Sequence, residues 1–523
     1  MQPKITSYYY FIPIILVGVF FIWKATHFPI HDFANYYFGG KFLAEGTLNS
    51  TVYFPYEFNK SIADLGHTGI FVSYAPNTPF LALLFLPLCY LPLAAAKLLF
   101  NIISLVLLLY SLSKLIRFYN IKPIYLIAIP LLFLVPLKNN LLFGQVYFLL
   151  FFFMAESLLA YEKKQFPKMG LFLSLAIFLK VFPLLLLLIF IFRKELKPLL
   201  YTFAFCVLFL GISMLCSGFD IWIFYLKSVL PKVSDGQIAT AYVDNYQSVF
   251  MFLKRILVWH PTENPTALLH QPVLFKALIL AFKIAVISMG YFLIKKTSNT
   301  LYAFSYLILA AILISPYGST YTFVVVLFAF LYGVKSEISM TKKVFLMALL
   351  FLINNIPFHD YLSAYFPFSY LRLLLLLLYF AWFISLHHKT IYWKWIVVLT
   401  LIPSVGFAFF AKEETIRSKP FLTGKKTPIL VYDYSISKDY LTYFYWNEKG
   451  KNQKSIRLAK SDYIPLEIHD NQVFYHKKQL TFDSSTKLKP VLIHNETILY
   501  LTDYERGIGF YALRTIPLKD ETK

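Results

Sequence analysis

The sequence predicts an all-α polytopic membrane protein with a small β-rich region at its C-terminus. The first observation is composition, because the 523 residues are 58% hydrophobic and only 15% charged, whereas soluble proteins carry about 25% charged residues. The second is a series of apolar runs between residues 8 and 410, several of them bordered by lysine or arginine. The third is a change to polar, alternating sequence at Lys412. A chain this apolar cannot bury its surface in a soluble core and requires a bilayer.

The net charge and the cysteines exclude several other classes of protein. A net charge of +22 in such a chain indicates basic cytoplasmic loops and contact with anionic lipid rather than with nucleic acid. Cys89, Cys206 and Cys216 lie in apolar runs without metal-ligand spacing, so we expect them to be inert. No cofactor or metal is expected, although Asp32 could form a carboxylate cluster in space with Asp64 or Asp244.

Lysine and arginine placement predicts the topology. Lys4 precedes the first span and places the N-terminus in the cytoplasm, so residues 27–78 form a first outer loop. The proline-broken run 79–92 suits a re-entrant or surface segment, and residues 219–272 form a second outer loop. The predicted spans are approximately 8–25, 94–115, 124–138, 141–160, 199–216, 273–294, 300–315, 321–334, 343–356, 369–386 and 392–410.

The apolar run 169–192 departs from simple alternation. Basic residues flank both ends, which should therefore both be cytoplasmic, and Lys180 precedes Pro183 in the middle of the run. A charged residue beside a helix breaker predicts two half-helices that dip in and return. A single span that violates the charge rule is the alternative. The prediction is thus about 11 to 13 transmembrane helices, with an extracytoplasmic C-terminus in either case.

We divide the chain into a transmembrane domain, residues 1–411, and an extracytoplasmic β-rich domain, residues 412–523. Short alternating runs in the second part, such as those beginning at Ile429, Leu441 and Ile498, are separated by turn-forming residues. They predict a small antiparallel sandwich, barrel or partial propeller. The sequence assigns this part no chemistry, and a stabilising or docking cap is the favoured interpretation.

The stretch after the first span carries the main catalytic candidate. Asp32 lies a few residues beyond the membrane exit, and its neighbours His31, Tyr36, Tyr37 and Lys41 are candidate binding residues. A carboxylate between an apolar wall and water suits a general base acting on a lipid-carried substrate. The alternative is a solvated residue that caps the following helix.

Four further motifs fall on the same predicted outer face, although they come from distant parts of the chain. This distribution is typical of a site built between helices. Their candidate binding residues are Tyr74 before Pro76, Asn140 and Gln145 around Gly144, Asn245 and Gln247 before Ser248, and Tyr317 and Tyr321 in a turn that begins at Ser315.

These motifs together resemble a known enzyme family. Their order is Asp-Phe-x-x-x-Tyr…Gly…Tyr from Asp32, Tyr-x-Pro-x-x-Pro from Tyr74, Gly-Gln, Gly…Leu-Lys-x-x-Pro around Lys180, Asn-x-Gln-Ser and Ser-Pro-Tyr. Over roughly residues 8–340, the chain is similar to the polytopic GT-C glycosyltransferases of family 87. The resemblance implies a polyprenyl-phosphate sugar donor, typically mannose, and inverting transfer outside the cytoplasm. It also implies that Asp32 is the base that acts on the acceptor hydroxyl.

A leaving lipid phosphate needs nearby cations, and the candidates are Lys41, Lys180, Arg255 and Arg372. The alternatives are that Lys180 snorkels to the cytoplasmic face and that the two arginines anchor lipid headgroups. One departure concerns the turn after Ser315. Many family members carry a histidine pair where this chain has Tyr321 and Thr322, which weakens the substrate assignment more than the family assignment.

The predicted function is therefore that of an integral glycosyltransferase of the inner or plasma membrane, with its site on the extracytoplasmic face. It would move a mannose-like hexose or a pentose from polyprenyl phosphate to a lipid-linked or cell-surface glycan. Outer-loop aromatics would stack on the sugar, and an apolar groove near residues 76–92 would hold the prenyl chain. The alternatives are a flippase of lipid-linked sugars, for which the repeat partner of a broken helix is lacking, and a membrane scaffold for envelope glycan assembly.

Overall fold

The computed structural model describes most of the chain. The described residues are 9–30, 32–240, 242, 246–261, 263–356, 364–387, 392–411, 418–422, 428–437, 439–458, 463–493 and 496–518.

Helices account for most of the described chain up to residue 410, and short 3-10 segments or turns connect many of them. The α-helices are α1 (Ile12–Thr26), α2 (Phe33–Ala44), α3 (Pro55–Asp64), α4 (Phe80–Phe85), α5 (Leu93–Phe118), α6 (Ile129–Leu132), α7 (Leu134–Phe143), α8 (Tyr147–Glu162), α9 (Phe166–Leu179), α10 (Leu187–Arg193), α11 (Leu196–Ser217), α12 (Phe219–Phe224), α13 (Leu230–Ser234), α14 (Val249–Leu257), α15 (Pro272–Lys296), α16 (Thr300–Ile314), α17 (Leu327–Lys335), α18 (Met340–Asn355), α19 (Leu371–Ser385) and α20 (Trp393–Phe410). The 3-10 helices are Ser50–Tyr53, Leu86–Tyr90, Pro123–Ala128, Phe182–Leu186, Thr320–Val326 and Phe368–Tyr370, and Tyr225–Val229 is a π-helix.

Six of the described helices are long and apolar enough to cross a membrane, and each coincides with a predicted span to within a few residues. They are Tyr9–Thr26, Leu93–Phe118, Leu196–Ser217, Pro272–Lys296, Phe368–Ser385 and Trp393–Phe410. The chain is therefore a multi-pass membrane protein, as the sequence predicts. A helix of about 20 apolar residues is long enough to cross the hydrocarbon core of a bilayer.

The remaining predicted spans take other forms. Pro123–Leu132 and Leu134–Phe143 form a pair bent by 68°, which counts as a seventh candidate if taken together. The predicted spans 300–315 and 321–334 correspond to the shorter apolar helices Thr300–Ile314 and Thr320–Lys335. The predicted count of 11 to 13 therefore exceeds the number of described helices that pass on length and composition. The reason is length: Thr300–Ile314 has 15 residues, fewer than the about 20 that cross a bilayer. Nearly every residue of α16 and α17 is buried within the protein.

The run 169–192 is broken where the sequence predicts it. Helix α9 ends at Leu179, Lys180 is extended, and a 3-10 turn leads into α10. The ends of α9 and α10 that lie away from Lys180 are close together. Arg193, at the end of α10, donates a hydrogen bond from Nη1 to Tyr161 Oη at 3.1 Å, and Tyr161 lies in α8 just before α9 begins. Because both ends lie together, the pair forms a hairpin whose apex carries Lys180, as expected for a segment that dips and returns.

The C-terminal β region, residues 418–518, contains three antiparallel sheets. Its strands are β1 (Lys419–Pro420), β2 (Leu430–Ser437), β3 (Tyr440–Asn447), β4 (Gly450–Arg457), β5 (Tyr463–Pro465), β6 (Glu467–His469), β7 (Gln472–Tyr475), β8 (Lys478–Gln479), β9 (Lys487–Ile493), β10 (Thr497–Thr502) and β11 (Ala512–Pro517). The sheet orders are β1-β11-β10-β9-β5, β2-β3-β4 and β6-β7-β8. The predicted turn at Glu448 joins β3 to β4, where Asn447 pairs with Gly450.

Candidate active site

Asp32 stands at the start of α2, but its carboxylate makes no capping bond to that helix. Instead Gln145 Nε2 donates a short hydrogen bond to Asp32 Oδ2. The other end of the same amide, Gln145 Oε1, accepts from the Tyr36 hydroxyl at 2.8 Å. Burial, and next the charge of Asp32, raise the pKa of Tyr36 well above its ordinary value, so this phenol stays protonated and acts as a donor. The carboxylate is therefore held by a side chain from the turn between α7 and α8, which is unlike a solvated cap.

A glycine turn brings Gln145 to Asp32. Gly144 ends α7 with a φ of +66°, a left-handed conformation that glycine adopts readily. A side chain could not fit there, because a Cβ would lie 2.7 Å from Cβ of Phe33. The backbone N–H of Gln145 donates to the backbone carbonyl of Asn140 at 2.8 Å, which closes the turn. The Gly-Gln motif thus lets α7 end directly against the start of α2.

The turn that begins at Ser315 forms a second wall. Asn140 Nδ2 donates to the carbonyl of Tyr321 at 2.9 Å and so ties this turn to α7. The Tyr321 ring lies 5.3 Å from the ring of Tyr147. Tyr321 and Thr322 are the two positions where the sequence departs from the family pattern, and the first of them packs against Tyr147.

Residues 246–248 supply a third wall. Ser248 Oγ donates to the carbonyl of Pro316 at 2.7 Å, and Gly318 packs so closely on the Gln247 backbone that a Cβ would lie 2.7 Å from it. Tyr246 lies with its ring 5.3 Å from that of Tyr317. Burial, and next the charge of Asp32, raise the pKa of the Tyr246 hydroxyl. The Asn-x-Gln-Ser and Ser-Pro-Tyr motifs therefore lie together, within electrostatic reach of Asp32.

Lys180 reaches the site from the apex of the α9–α10 hairpin. Its Nζ donates to Asn77 Oδ1 at 3.2 Å and lies 5.8 Å from the centre of the Tyr147 ring. Thr78, the residue after Asn77, also binds near the hairpin apex, because its Oγ1 donates to the carbonyl of Phe178 at 2.7 Å. The charge of Asp32 acts on Lys180. Lys180 therefore contacts Asn77 and Tyr147 inside the protein, where the charge of Asp32 acts on it, and does not snorkel to the opposite face.

A second lysine near Asp32 is absent from the predicted set. Lys97, in the first turns of α5, is 3% exposed, and its Nζ donates to the carbonyl of Pro29 at 3.4 Å. The charge of Asp32 acts on it as well. Lys97 also lines a cavity of about 190 Å³ between α1 and α5, whose other walls include Ile22, Ala95 and Asn101. A lysine inside an apolar span is itself a functional signal, and the sequence prediction did not use it.

Two buried amide oxygens in this region have no hydrogen-bond partner among the described residues, namely Asn140 Oδ1 and Gln247 Oε1. The amide nitrogens of both residues are bonded, Asn140 to Tyr321 and Gln247 to the carbonyl of Ser369 at 3.0 Å. Buried acceptors are normally satisfied, so these oxygens are suited to accept from a ligand hydroxyl. Within the described ranges, no three His, Cys, Asp or Glu side chains gather as metal ligands would.

Several predicted residues lie elsewhere. The Tyr37 hydroxyl donates to the carbonyl of Leu91 at 2.8 Å. Lys41 pairs with Glu45 at 3.2 Å, about 13 Å along α2 from Asp32 at 1.5 Å per residue. Tyr74 is fully buried and packs on other rings rather than facing Asp32. His31 and Asn245 lie outside the described residues.

The two candidate arginines are bound within the protein. Arg255 Nη1 donates to the carbonyl of Glu263 at 3.0 Å, and its guanidinium lies 5.4 Å from the ring of Tyr242. Arg372 is 1% exposed, and its Nε donates to the carbonyl of Ile353 at 3.0 Å. Both side chains therefore bond to backbone carbonyls of the protein, whereas an anchor would extend to lipid headgroups. The sequence prediction missed Tyr147 and Tyr246, although Tyr246 lies inside the Asn-x-Gln-Ser motif.

A multi-pass helical protein with a carboxylate, two lysines and a wall of tyrosines at one end of its helical body has the parts of a membrane-bound group-transfer enzyme. The model for Glycosyltransferase family 87 matches residues 75–316. This match supports the family 87 glycosyltransferase assignment predicted from the motifs. The matched range includes Gln145, Lys180 and Gln247, whereas Asp32 precedes it. A search of curated proteins found no match.

Proposed function

We propose that the protein transfers a mannose-like hexose or a pentose from polyprenyl phosphate to a lipid-linked or cell-surface glycan, with inversion at the anomeric carbon. Glycosyltransferase activity follows from the family, and the donor, acceptor and stereochemistry are the proposal. The observation that carries it is the Asp32 carboxylate, held by Gln145 beside two lysines and three tyrosines. This set matches the needs of a reaction between a neutral sugar alcohol and a phosphate-linked sugar.

Asp32 is the proposed general base. As the acceptor hydroxyl forms its bond to the anomeric carbon, its proton passes to the Asp32 carboxylate. The bond between the anomeric carbon and the phosphate oxygen breaks, and the lipid phosphate leaves with the electron pair. A positioned base contributes about 10²- to 10⁴-fold to such a step. Gln145 fixes the orientation of the carboxylate through its bond to Oδ2.

Lys180 is the proposed partner of the leaving phosphate. It is carried on the hairpin apex, held by Asn77, and is attracted by the Asp32 charge. A cation placed where negative charge develops lowers the barrier to bond breaking. Lys97 supplies a second positive charge on the α1–α5 side. The site thus has one carboxylate facing two ammonium groups, an excess of positive charge that favours an anionic donor.

Tyrosines and amides are the proposed sugar contacts. The rings of Tyr147, Tyr321 and Tyr246 offer apolar faces on which a sugar ring can pack, with polar edges for its hydroxyls. The unpartnered oxygens of Asn140 and Gln247 would accept hydrogen bonds from those hydroxyls. Such buried acceptors favour a ligand that supplies donors, which a sugar does and a simple hydrocarbon does not.

The prenyl chain is better placed between α1 and α5 than along residues 76–92. The side chains of Phe80, Leu81 and Phe85 in that segment are buried, so it has little room for a groove. The cavity lined by Ile22 and Ala95 is apolar, lies between two candidate spans and reaches Lys97. A lipid chain there would have its phosphate end near the lysine and near Asp32.

The proposed location is the inner or plasma membrane, with the Asp32 site and the β region outside the cytoplasm. Support comes from the basic residues at the other end of the helical body. Lys114 and Lys168 both pair with Glu156 there, and Arg193 lies at the open end of the α9–α10 hairpin, away from Lys180. Basic residues on that side agree with the positive-inside rule.

A reconstitution experiment tests the function. The purified protein would be given labelled polyprenyl-phosphate mannose, or a pentose analogue, with membrane glycolipid as acceptor. The proposal predicts a labelled glycolipid and free polyprenyl phosphate. Movement of the donor across vesicles without a covalent product would instead identify a flippase, for which the broken α9–α10 pair is the structural argument. The absence of both transfer and movement would leave a scaffold and contradict the proposal.

A further inference from the structure

The C-terminal β region packs tightly on the helical part. The ring of Tyr56 in α3 stacks on Tyr432 of β2, with centroids 4.0 Å apart and planes 10° from parallel. Trp446 of β3 lies edge-on to the same ring at 5.8 Å. Leu430, Trp446 and Phe510 are buried where the two parts meet. The β region is therefore fixed to the first predicted outer loop by an apolar contact.

One loop of the β region presses on the second predicted outer loop. This clamp loop, residues 503–509, joins β10 to β11 and packs on residues 232–238. Lys232 Nζ pairs with Asp503 Oδ1 at 2.8 Å, and Asp503 is fully buried. Gly507 lies so close to the facing chain that a Cβ would be 1.9 Å from the carbonyl oxygen of Ile238. The clamp loop thus combines a buried ion pair with a backbone contact that only glycine permits.

The segment under the clamp loop contacts the active site directly. The hydroxyl of Tyr317 donates a short hydrogen bond to the carbonyl of Val233, which follows Lys232. The rings of Tyr317 and Tyr246 pack with their centroids 5.3 Å apart. The charge of Asp32 acts on the hydroxyl of Tyr246. A continuous series of contacts therefore runs from the clamp loop, through residues 232–238, to Tyr317 and Tyr246 in the wall of the site.

We infer that the clamp loop positions the Tyr246–Tyr317 wall of the active site, so that the β region is a working part of the enzyme. The inference rests on the proposed function for the site itself, and goes beyond it because the β region lies outside the family match. Asp503, Gly507 and Lys232 are positioning residues, since none of them contacts the proposed reacting groups. A displacement of about 1 Å in a substrate-binding wall can cost about 10²-fold in rate.

Gly507→Ala is the most direct test in the full-length protein. The added Cβ must push the clamp loop away from Ile238, yet it changes no charge and the Gly507 backbone is not in the left-handed region. We expect kcat/KM for the acceptor to fall by about 10- to 100-fold, with the KM for the donor little changed. Gly211→Ala in α11 is the matched control, because a Cβ there meets no atom within 4 Å.

A second variant interrupts the same contact from the helical side. Lys232→Met removes the ion pair from the helical side and leaves the strands of the β region untouched. It should lower acceptor kcat/KM as Gly507→Ala does. Tyr317→Phe should add little to the loss in Lys232→Met, because both changes interrupt the same series of contacts. Fully additive losses would contradict the proposed connection.

Hydrogen exchange provides a readout that needs no substrate. In Gly507→Ala, amides in residues 246–252 and 315–322 should exchange faster than in the wild-type protein, while those of α16 should not change. Faster exchange together with an inactive wild-type enzyme would support the clamp and contradict the proposed function. Unchanged exchange in these segments and wild-type acceptor kinetics in both variants would overturn the inference.

Discussion

Two polar clusters lie on the same side of the molecule, and they differ in how their hydrogen bonds are used. In the cluster around Arg255, which we call the joint, Asn264 Nδ2 donates to the carbonyls of both Arg255 and Val258, and Arg506 pairs with Glu263 at 3.3 Å. In the Asp32 site, the oxygens of Asn140 and Gln247 are buried without a described partner. The joint satisfies its own groups, whereas the site keeps acceptors for a ligand.

The electrostatics of the two clusters differ in the same way. In the joint, arginines face carboxylates and backbone carbonyls of neighbouring segments, so the charges hold the β region and the second outer loop together. In the Asp32 site, the charge of the Asp32 carboxylate acts on two lysines. Lys97 lies in α5, and Lys180 lies between α9 and α10. Arginines and lysines of a structural cluster and of an anion-binding cluster look alike in sequence, and only their partners distinguish the two.

Replacing a lysine of the Asp32 site should give the largest loss of activity among the variants that distinguish the two clusters. Lys180→Met should lower kcat by about 10²- to 10³-fold, because the leaving phosphate loses the cation that stabilises it. Single-turnover transfer from polyprenyl-phosphate sugar would measure the effect. Lys276→Met, at an exposed position of α15, is the control and should keep wild-type turnover. Equal turnover in both variants would exclude Lys180 from the reaction.

The amide that orients Asp32 should come next. Gln145→Leu removes a hydrogen bond to a carboxylate, worth about 1.5–3 kcal/mol, so kcat should fall by about 10- to 100-fold. Tyr36→Phe should cost less, because Tyr36 acts on Asp32 only through Gln145. The double variant should resemble Gln145→Leu alone. If the two losses add in full, Tyr36 acts on the substrate independently.

Filling the α1–α5 cavity should have a smaller and more selective effect. Ala95→Phe should raise the KM for a long-chain donor by about 10-fold, equivalent to about 1.4 kcal/mol of lost binding, and leave a short-chain donor almost unaffected. Ile102→Phe, at an exposed position of α5 away from the cavity lining, is the matched control. An equal change with both donors would place the prenyl chain elsewhere.

The joint should show the smallest effect, and on stability rather than on turnover. Burial lowers the pKa of His260, Glu263 and Glu505 oppose that shift, and Arg514 and Lys254 add to it. The unfolded chain therefore binds a proton more readily than the folded one below pH about 6.5, the ordinary pKa of histidine. The unfolding midpoint should fall as the pH drops through that range, and His260→Gln should flatten the dependence. If the unfolding midpoints of the wild type and His260→Gln differ by the same amount at every pH, His260 is not the group responsible.

The sequence predicted the long helices and the broken hairpin because their signals are local. Six apolar runs of spanning length and the Lys180–Pro183 break appear directly in the chain. The sequence also predicted spans at α16 and α17, but an apolar run does not reveal that nearly every residue of these two helices is buried within the protein. Such burial depends on packing with distant segments.

The candidate site was predictable only in part. The structure joins Gln145 to Asp32, and both were candidates in the sequence. Gln145 was chosen because Gly-Gln is part of the family resemblance, and Asp32 because it follows a membrane exit. Tyr147 and Lys97 were missed, since neither belongs to a motif and each becomes significant only when helices bring it beside Asp32. Arg255 and Lys41 were candidates on charge alone, and their actual partners, Glu263 and Glu45, could not be read from spacing to the site.

The most direct test of the account is the turnover of Asp32→Asn at saturating donor, measured beside donor binding. The account predicts that turnover falls by about 10²- to 10⁴-fold while the affinity for polyprenyl phosphate stays close to that of the wild type. Asp64→Asn, at an exposed carboxylate of α3, should transfer sugar normally. Wild-type turnover in Asp32→Asn would contradict the account, because no proton would then need to pass to that carboxylate.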